Sequence, residues 1–108
     1  MDLTEKNCVP CEGGVPALDE GEIRAMLSNL SGWQVSSGGA ELRKRYQFPG
    51  FKEAVAFVCR LAELAESEGH HPDFCVGYDK VDVVLTTHAI GGLSENDFIV
   101  AAKLDRLT

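Results

Sequence analysis

Apolar residues recur at helical spacing in three segments of the chain. The longest segment predicts a helix over residues 51–68, with an apolar stripe made of Phe51, Ala54, Val55, Val58, Leu61, Ala62 and Ala65. Gly69 follows as a terminating residue. A first helix is predicted after Asp19, and a last helix extends from Ser94 through Leu107. Both begin with the residue spacing of a capping box.

Between the helices, apolar and polar residues alternate as they do in β-strands. We expect four strands, at residues 33–35, 41–48, 74–78 and 81–88. In the second strand Leu42, Tyr46 and Phe48 share a side, and Lys44 is the exception in that row. Short turns join the strands in pairs, which makes the pairs antiparallel. The element order predicts an α+β fold, a four-stranded antiparallel sheet with three helices packed on one face.

The first 18 residues show no period and contain Pro10, Gly13, Gly14 and Pro16. We therefore expect an extended N-terminal arm at residues 1–18 and a single domain at residues 19–108. Cys8 and Cys11 in the arm have the spacing of half a zinc or iron–sulfur site. No second pair has suitable spacing, since Cys59 lies in a predicted helix and Cys75 in a predicted strand. We expect no bound metal.

The composition is that of an ordinary folded protein, with 44% hydrophobic and 25% charged residues. The net charge of −7 argues against a nucleic-acid partner, since nucleic-acid binders present basic surfaces. No apolar run approaches the roughly 20 residues of a membrane span. Residues 1–9 are too polar for a signal peptide. We expect a cytoplasmic protein with no membrane partner.

The three histidines of the chain are candidates for one site. His70 and His71 follow a predicted helix end, and His88 closes the fourth predicted strand. Glu66, four residues before His70, projects from the same side of the last helical turn. An imidazole exchanges protons near neutral pH, and a dehydration needs one group to protonate a leaving hydroxyl and another to accept a proton. The alternative is simple helix termination, with imidazole favoured at the negative helix end.

The chain resembles a known family at these positions. Glu66-x3-His70-His71-Pro72, followed by Tyr78, His88 and Asp97, is similar to the signature of pterin-4a-carbinolamine dehydratases, also known as dimerisation cofactors of a homeodomain transcription factor. The segments at residues 85–88 and 92–98 agree with it, and the resemblance extends from about residue 18 to the C-terminus. Many members carry an acidic residue directly before the histidine pair, where this chain has Gly69.

The resemblance implies loss of water from 4a-hydroxytetrahydropterin to give quinonoid dihydropterin, which recycles the cofactor of aromatic amino acid hydroxylases. The pterin is then the substrate, and no further cofactor is implied. The implied catalytic residues are His70, His71 and His88, with His71 favoured as general acid. The implied substrate-binding residues are Glu66, Thr86, Thr87 and His88. The resemblance also implies homodimers, sometimes paired into homotetramers.

Two points stay open at the level of the sequence. Asp97 has capping-box spacing from Ser94, and we favour that structural role over direct chemistry. The rival function is a non-catalytic pterin-binding module or a protein-assembly or regulatory module of the same fold. A further possibility is pterin binding in another pathway, such as molybdenum-cofactor metabolism. Three titratable histidines favour catalysis, because a scaffold does not need them.

Overall fold

The computed structural model describes residues 2–9, 16–36 and 38–108 of the chain. Its three α-helices are α1 (Glu20–Leu27), α2 (Phe51–Glu68) and α3 (Glu95–Asp105). Its four strands are β1 (Gln34–Val35), β2 (Leu42–Gln47), β3 (Asp73–Gly77) and β4 (Lys80–Leu85). They form one antiparallel sheet in the order β1-β2-β4-β3. The predicted α+β fold and element order are confirmed.

The core lies between the helices and one face of the sheet. Along β4 the buried residues are Val81, Val83 and Leu85, and they alternate with partly exposed residues. This period of two places every second side chain against the helices. From the helices, Phe57 of α2 and Phe98 of α3 are fully buried in the same cluster. The helices therefore cover one face.

The helix ends follow the local signals in the sequence. The side chains of Asp19 and Glu22 form a capping box on α1, and those of Ser94 and Asp97 form one on α3. Gly69 ends α2 in the left-handed conformation, at φ 66°, which costs a glycine little. Among the described residues, no helix has both the length and the apolarity to cross a membrane.

The fourth strand is shorter than predicted and does not reach His88. It ends at Leu85, and a 3-10 helix occupies His88–Ile90. Thr87 N donates to Gly92 O at 2.9 Å, so the chain reverses direction instead of continuing along the sheet. The predicted strand end at His88 is wrong. Other boundaries shift less: α3 stops at Asp105, and β1 begins one residue after its predicted start.

The described part of the N-terminal arm is packed on the domain rather than extended throughout. A 3-10 helix spans Leu3–Glu5, and the Asp2 side chain accepts from Thr4 N at 3.0 Å to cap it. Leu3 is 3% exposed and belongs to the core cluster. One apolar side chain therefore anchors a segment that has no apolar period. Residues 10–15 of the predicted arm lie outside the described residues.

Candidate active site

A cavity of about 300 Å³ lies where α2 ends and the chain leaves β4. The three histidines share its wall, which is formed by Val9, Gly69, His70, His71, Thr86, Thr87, His88, Ala89 and Asn96. The structure thus brings together the three imidazoles that the sequence singled out. A wider hollow of about 680 Å³ lies against the sheet, but its described lining contains no histidine. Chemistry, not volume, identifies the histidine cavity as the candidate site.

The imidazole of His70 is oriented by a buried carboxylate. Nε2 of His70 donates to Oδ1 of Asp97 at 2.6 Å. The Asp97 side chain is completely buried, and the His70 side chain is only 11% exposed. The second carboxylate oxygen accepts from Ser94 N at 2.9 Å and from Thr87 Oγ1 at 2.8 Å. Three donors hold this carboxylate, and it fixes one tautomer of His70, leaving Nδ1 as the other ring nitrogen.

The imidazole of His71 also lies beside a carboxylate, but this pair is exposed to solvent. Nε2 of His71 lies 2.5 Å from Oε2 of Glu66. Both side chains are well exposed, at 60% for His71 and 78% for Glu66. The predicted proximity of Glu66 to the histidine pair is therefore seen, with His71 as its partner. Two neighbouring imidazoles thus differ in their access to solvent, which suits them to different proton-transfer roles.

His88 reaches the cavity from the 3-10 helix that follows β4. Its side chain is exposed, and within residues 2–9, 16–36 and 38–108 no side chain pairs with its imidazole. Both of its ring nitrogens are available to a ligand or to water. His88 therefore differs from His70, whose ring orientation is fixed by its hydrogen bond to Asp97.

Thr86 and Thr87 were predicted to bind substrate, and their hydroxyls donate hydrogen bonds to other atoms of the protein. Thr86 Oγ1 donates to Ala40 O at 2.7 Å. Thr87 is 4% exposed, and its Oγ1 donates to Asp97 Oδ2. Both residues line the cavity, so hydroxyl lone pairs and backbone atoms are what they can offer a ligand. Thr87 has an additional role that was not predicted, since it helps hold the carboxylate that orients His70.

Sequence reasoning missed part of the function of Asp97. The capping-box spacing identified one role correctly, since Asp97 accepts from Ser94 N. The same side chain also orients His70, which is 27 positions away along the chain. The position of Asp97 within the family signature was the available signal. The cavity residues Val9 and Asn96 were also missed, and no local pattern marks them.

Residues 10–15 lie outside the described residues, so Cys8 is described and Cys11 is not. Burial, together with the nearby Glu68 carboxylate, raises the pKa of Cys8 to about 12. A thiolate is the form that binds metals, and this environment disfavours it. Among the described residues, no three or more His, Cys, Asp or Glu side chains are grouped to hold a metal ion.

Comparisons with known proteins identify the family of the chain. The family described as "Pterin 4 alpha carbinolamine dehydratase" matches residues 16–107. A Rubrobacter xylanophilus protein named "putative pterin-4-alpha-carbinolamine dehydratase" is 47% identical over 106 residues, 98% of this chain and 98% of that protein. The signature residues that suggested the family in the sequence lie within this match, as does the carboxylate that orients His70.

Two solved structures have a similar fold. A transcriptional coactivator/pterin dehydratase from Brucella melitensis has a TM-score of 0.81 and 34% identity, over 84% of this chain and 97% of that one. A pterin dehydratase-like protein identified as a RuBisCO assembly factor in the alpha-carboxysome has a TM-score of 0.63 and 28% identity, over 71% and 89% of the two chains. From the match over residues 16–107 and the 47% identity to a relative of equal length, the chain belongs to the pterin 4 alpha carbinolamine dehydratase family.

Proposed function

We propose that this protein is a hydro-lyase that dehydrates 4a-hydroxytetrahydropterin to quinonoid dihydropterin in the histidine cavity. One observation carries the proposal: two adjacent imidazoles line one cavity, His70 held by buried Asp97 and His71 paired with exposed Glu66. Family membership supports the same reaction class. The proposal includes a cytoplasmic location and the pterin as the only small molecule required.

The reaction needs two proton transfers and no oxidant. An imidazolium donates a proton to the hydroxyl on C4a, the C4a–O bond breaks, and water leaves. The N5 lone pair forms the new C4a=N5 bond, and the N5 proton passes to a neutral imidazole. Acid and base must therefore act on neighbouring atoms of one ring, as two imidazoles in one small cavity can.

We assign the acid to His71 and the base to His70. His71 is exposed, so water can return its proton after each turnover. His70 becomes an imidazolium when it accepts the N5 proton, and the adjacent Asp97 carboxylate stabilises that charge. His88 and Glu66 would bind polar groups of the pterin, and the Thr86 and Thr87 backbone lies beside them.

The decisive measurement is the dehydration rate on enzymatically generated 4a-hydroxytetrahydropterin, followed by absorbance in a stopped-flow instrument. His71→Ala and His70→Ala should each lower kcat by about 10²-fold or more, as expected for loss of a positioned acid or base. Glu66→Gln should lower it less, and Glu63→Gln, an exposed glutamate one turn earlier on α2, is the matched control. A wild-type protein without turnover would overturn the proposal, and an unchanged rate in His71→Ala would overturn that assignment.

The alternative is a non-catalytic pterin-binding or assembly module, and the assembly-factor relative favours it. The two readings differ in a direct measurement. A module of this kind would show no acceleration of dehydration, whether or not it binds pterin by calorimetry. The described site favours catalysis, because a scaffold has no need of a buried carboxylate that orients one imidazole.

A further inference from the structure

Val9 is an exposed apolar residue whose backbone is fixed in place. The residue is 68% exposed. Nδ2 of Asn96 donates to Val9 O at 2.7 Å, and Oδ1 of Asn96 accepts from Val9 N at 3.1 Å. Asn96 is only 5% exposed, so this two-point pairing satisfies a buried amide that would otherwise be costly. The protein thus uses a buried polar group to hold an exposed valine.

Two residues before Val9 contact helices α2 and α3. Cys8 N donates to Glu68 Oε1 at 2.8 Å, at the end of α2. The Lys6 ammonium lies 3.1 Å from Glu95 Oε1, at the start of α3. Together with the buried Leu3, these contacts leave the segment little freedom to move away from the cavity. The position of Val9 is therefore set by several independent contacts.

Val9 and Asn96 both line the cavity that contains the histidines. Asn96 is followed directly by Asp97, which orients His70. Two consecutive residues in the first turn of α3 therefore hold different parts of the cavity wall. Asn96 binds the N-terminal segment, and Asp97 orients the imidazole of His70. Val9 and His70 are therefore both hydrogen-bonded to side chains of the first turn of α3. This arrangement would position an apolar surface relative to the proton-transfer groups.

We infer that Val9 is a substrate-binding residue of this site, an apolar wall against which the carbon edge of the reduced pterin packs, and that Asn96 is the residue that positions it. The inference rests on the proposed function. The histidines and Glu66 offer contacts to the polar edge of a pterin, and they leave its C–H surface without a partner. Valine presents only methyl groups, and covering them with a ligand removes apolar surface from water.

The test separates binding from chemistry. Val9→Ser keeps the backbone available to Asn96 and removes the methyl groups. KM for the pterin should rise about four- to fifteenfold, the range for losing one or two buried methylenes. The kcat value should stay within about twofold, because the proton-transfer groups are untouched. Asn96→Ala should also raise KM, and the double variant should show less than the product of the two effects. Val55→Ser, at an exposed valine of α2, is the matched control.

Each outcome decides between the hypotheses. Wild-type turnover with an unchanged KM in Val9→Ser overturns the inference and leaves the proposed function standing. A wild-type protein that neither turns over nor binds the pterin overturns both. A fall in kcat without a change in KM would show that the segment supports the fold or the imidazoles rather than the substrate. Thermal unfolding of every variant checks that Asn96→Ala remains folded.

Discussion

Nζ of Lys44 lies 2.8 Å from Oδ1 of Asp105 on the helix-covered side of the sheet. Lys44 lies in β2, and Asp105 is the last residue of α3. The same carboxylate accepts from Tyr46 Oη at 2.6 Å and from Trp33 Nε1 at 3.1 Å. Burial and this carboxylate raise the pKa of Tyr46, so its hydroxyl stays a donor. The lysine that interrupts the apolar row of β2 is thus the partner of an acid on a helix.

Asp105→Ala should destabilise the protein by about 2–4 kcal/mol, because it leaves an ammonium, a phenol and an indole without their acceptor. The free energy of unfolding can be measured in urea, with the fluorescence of Trp33, the one tryptophan of the chain, as the probe. Asp73→Ala, at an exposed aspartate, is the control and should change stability by less than about 0.5 kcal/mol. Equal effects in the two variants would contradict the role assigned to this cluster.

Asp97→Asn should lower kcat by about 10²-fold, because the neutral amide cannot stabilise the imidazolium that forms on His70. The substituted side chain keeps its size, and its oxygen can still accept from Ser94 N. KM should change little, and the thermal unfolding midpoint should fall by only a few degrees. Wild-type kcat in this variant would show that Asp97 acts only as the cap of α3.

Cys8 should be the slowest of the described cysteines to react with iodoacetamide at pH 8. Burial and the Glu68 carboxylate raise its pKa to about 12, and alkylation requires the thiolate. Cys59 and Cys75 are exposed. Mass spectrometry of the digested protein resolves the sites. Faster labelling of Cys8 than of the two exposed thiols would contradict the environment described for it.

Acid should weaken the attachment of the N-terminal segment through Glu68. Burial alone would raise the pKa of Glu68, but the hydrogen bonds from Cys8 N and Lys103 outweigh it and lower that pKa. A lowered carboxyl pKa adds stability above the unfolded value of about 4.3, and that stability is lost as pH falls through the folded pKa. The free energy of unfolding should therefore decline less steeply with acid in Glu68→Gln. Parallel declines would rule out this linkage.

The protein should be a homodimer at micromolar concentration. Strand β3 is an edge of the sheet, its five residues are all exposed, and Phe74 and Val76 are 41% and 39% exposed. Pairing such an edge across a two-fold axis would hide its free backbone groups. Light scattering should give twice the 11.7 kDa chain mass. Val76→Lys should shift the protein towards monomer, and a monomeric wild type would contradict the prediction.

The elements that could be predicted are those whose sequence signals lie close together along the chain. The helix α2 has an apolar stripe along its length, and Gly69 marks its end, so its boundaries at Phe51 and Glu68 match the prediction. The caps of α1 and α3 are set by residues three positions apart. Strand β4 was overextended because the alternation continues to His88, and the contact that ends it, between Thr87 and Gly92, gives no periodic signal.

The missed parts of the site depend on contacts between distant positions. The pairing of Asn96 with Val9 joins residues 87 positions apart, and that of His70 with Asp97 joins residues 27 apart. Composition and periodicity report on neighbours along the chain, so neither could reveal these pairs. His70, His71 and His88 line one cavity, although His88 lies in the 3-10 helix that follows β4 and not at a strand end.

The wall of the histidine cavity comes from four separate stretches of the chain: Val9, residues 69–71, residues 86–89, and Asn96. No hairpin or single helix contains more than a fragment of it. Because these stretches are far apart in the chain, the cavity forms only after loops of dozens of residues close, and we expect this to be a late step of folding. A partly folded chain with native helices should therefore lack the proposed dehydratase activity, and this activity should return after dilution from denaturant only when the first and last segments dock.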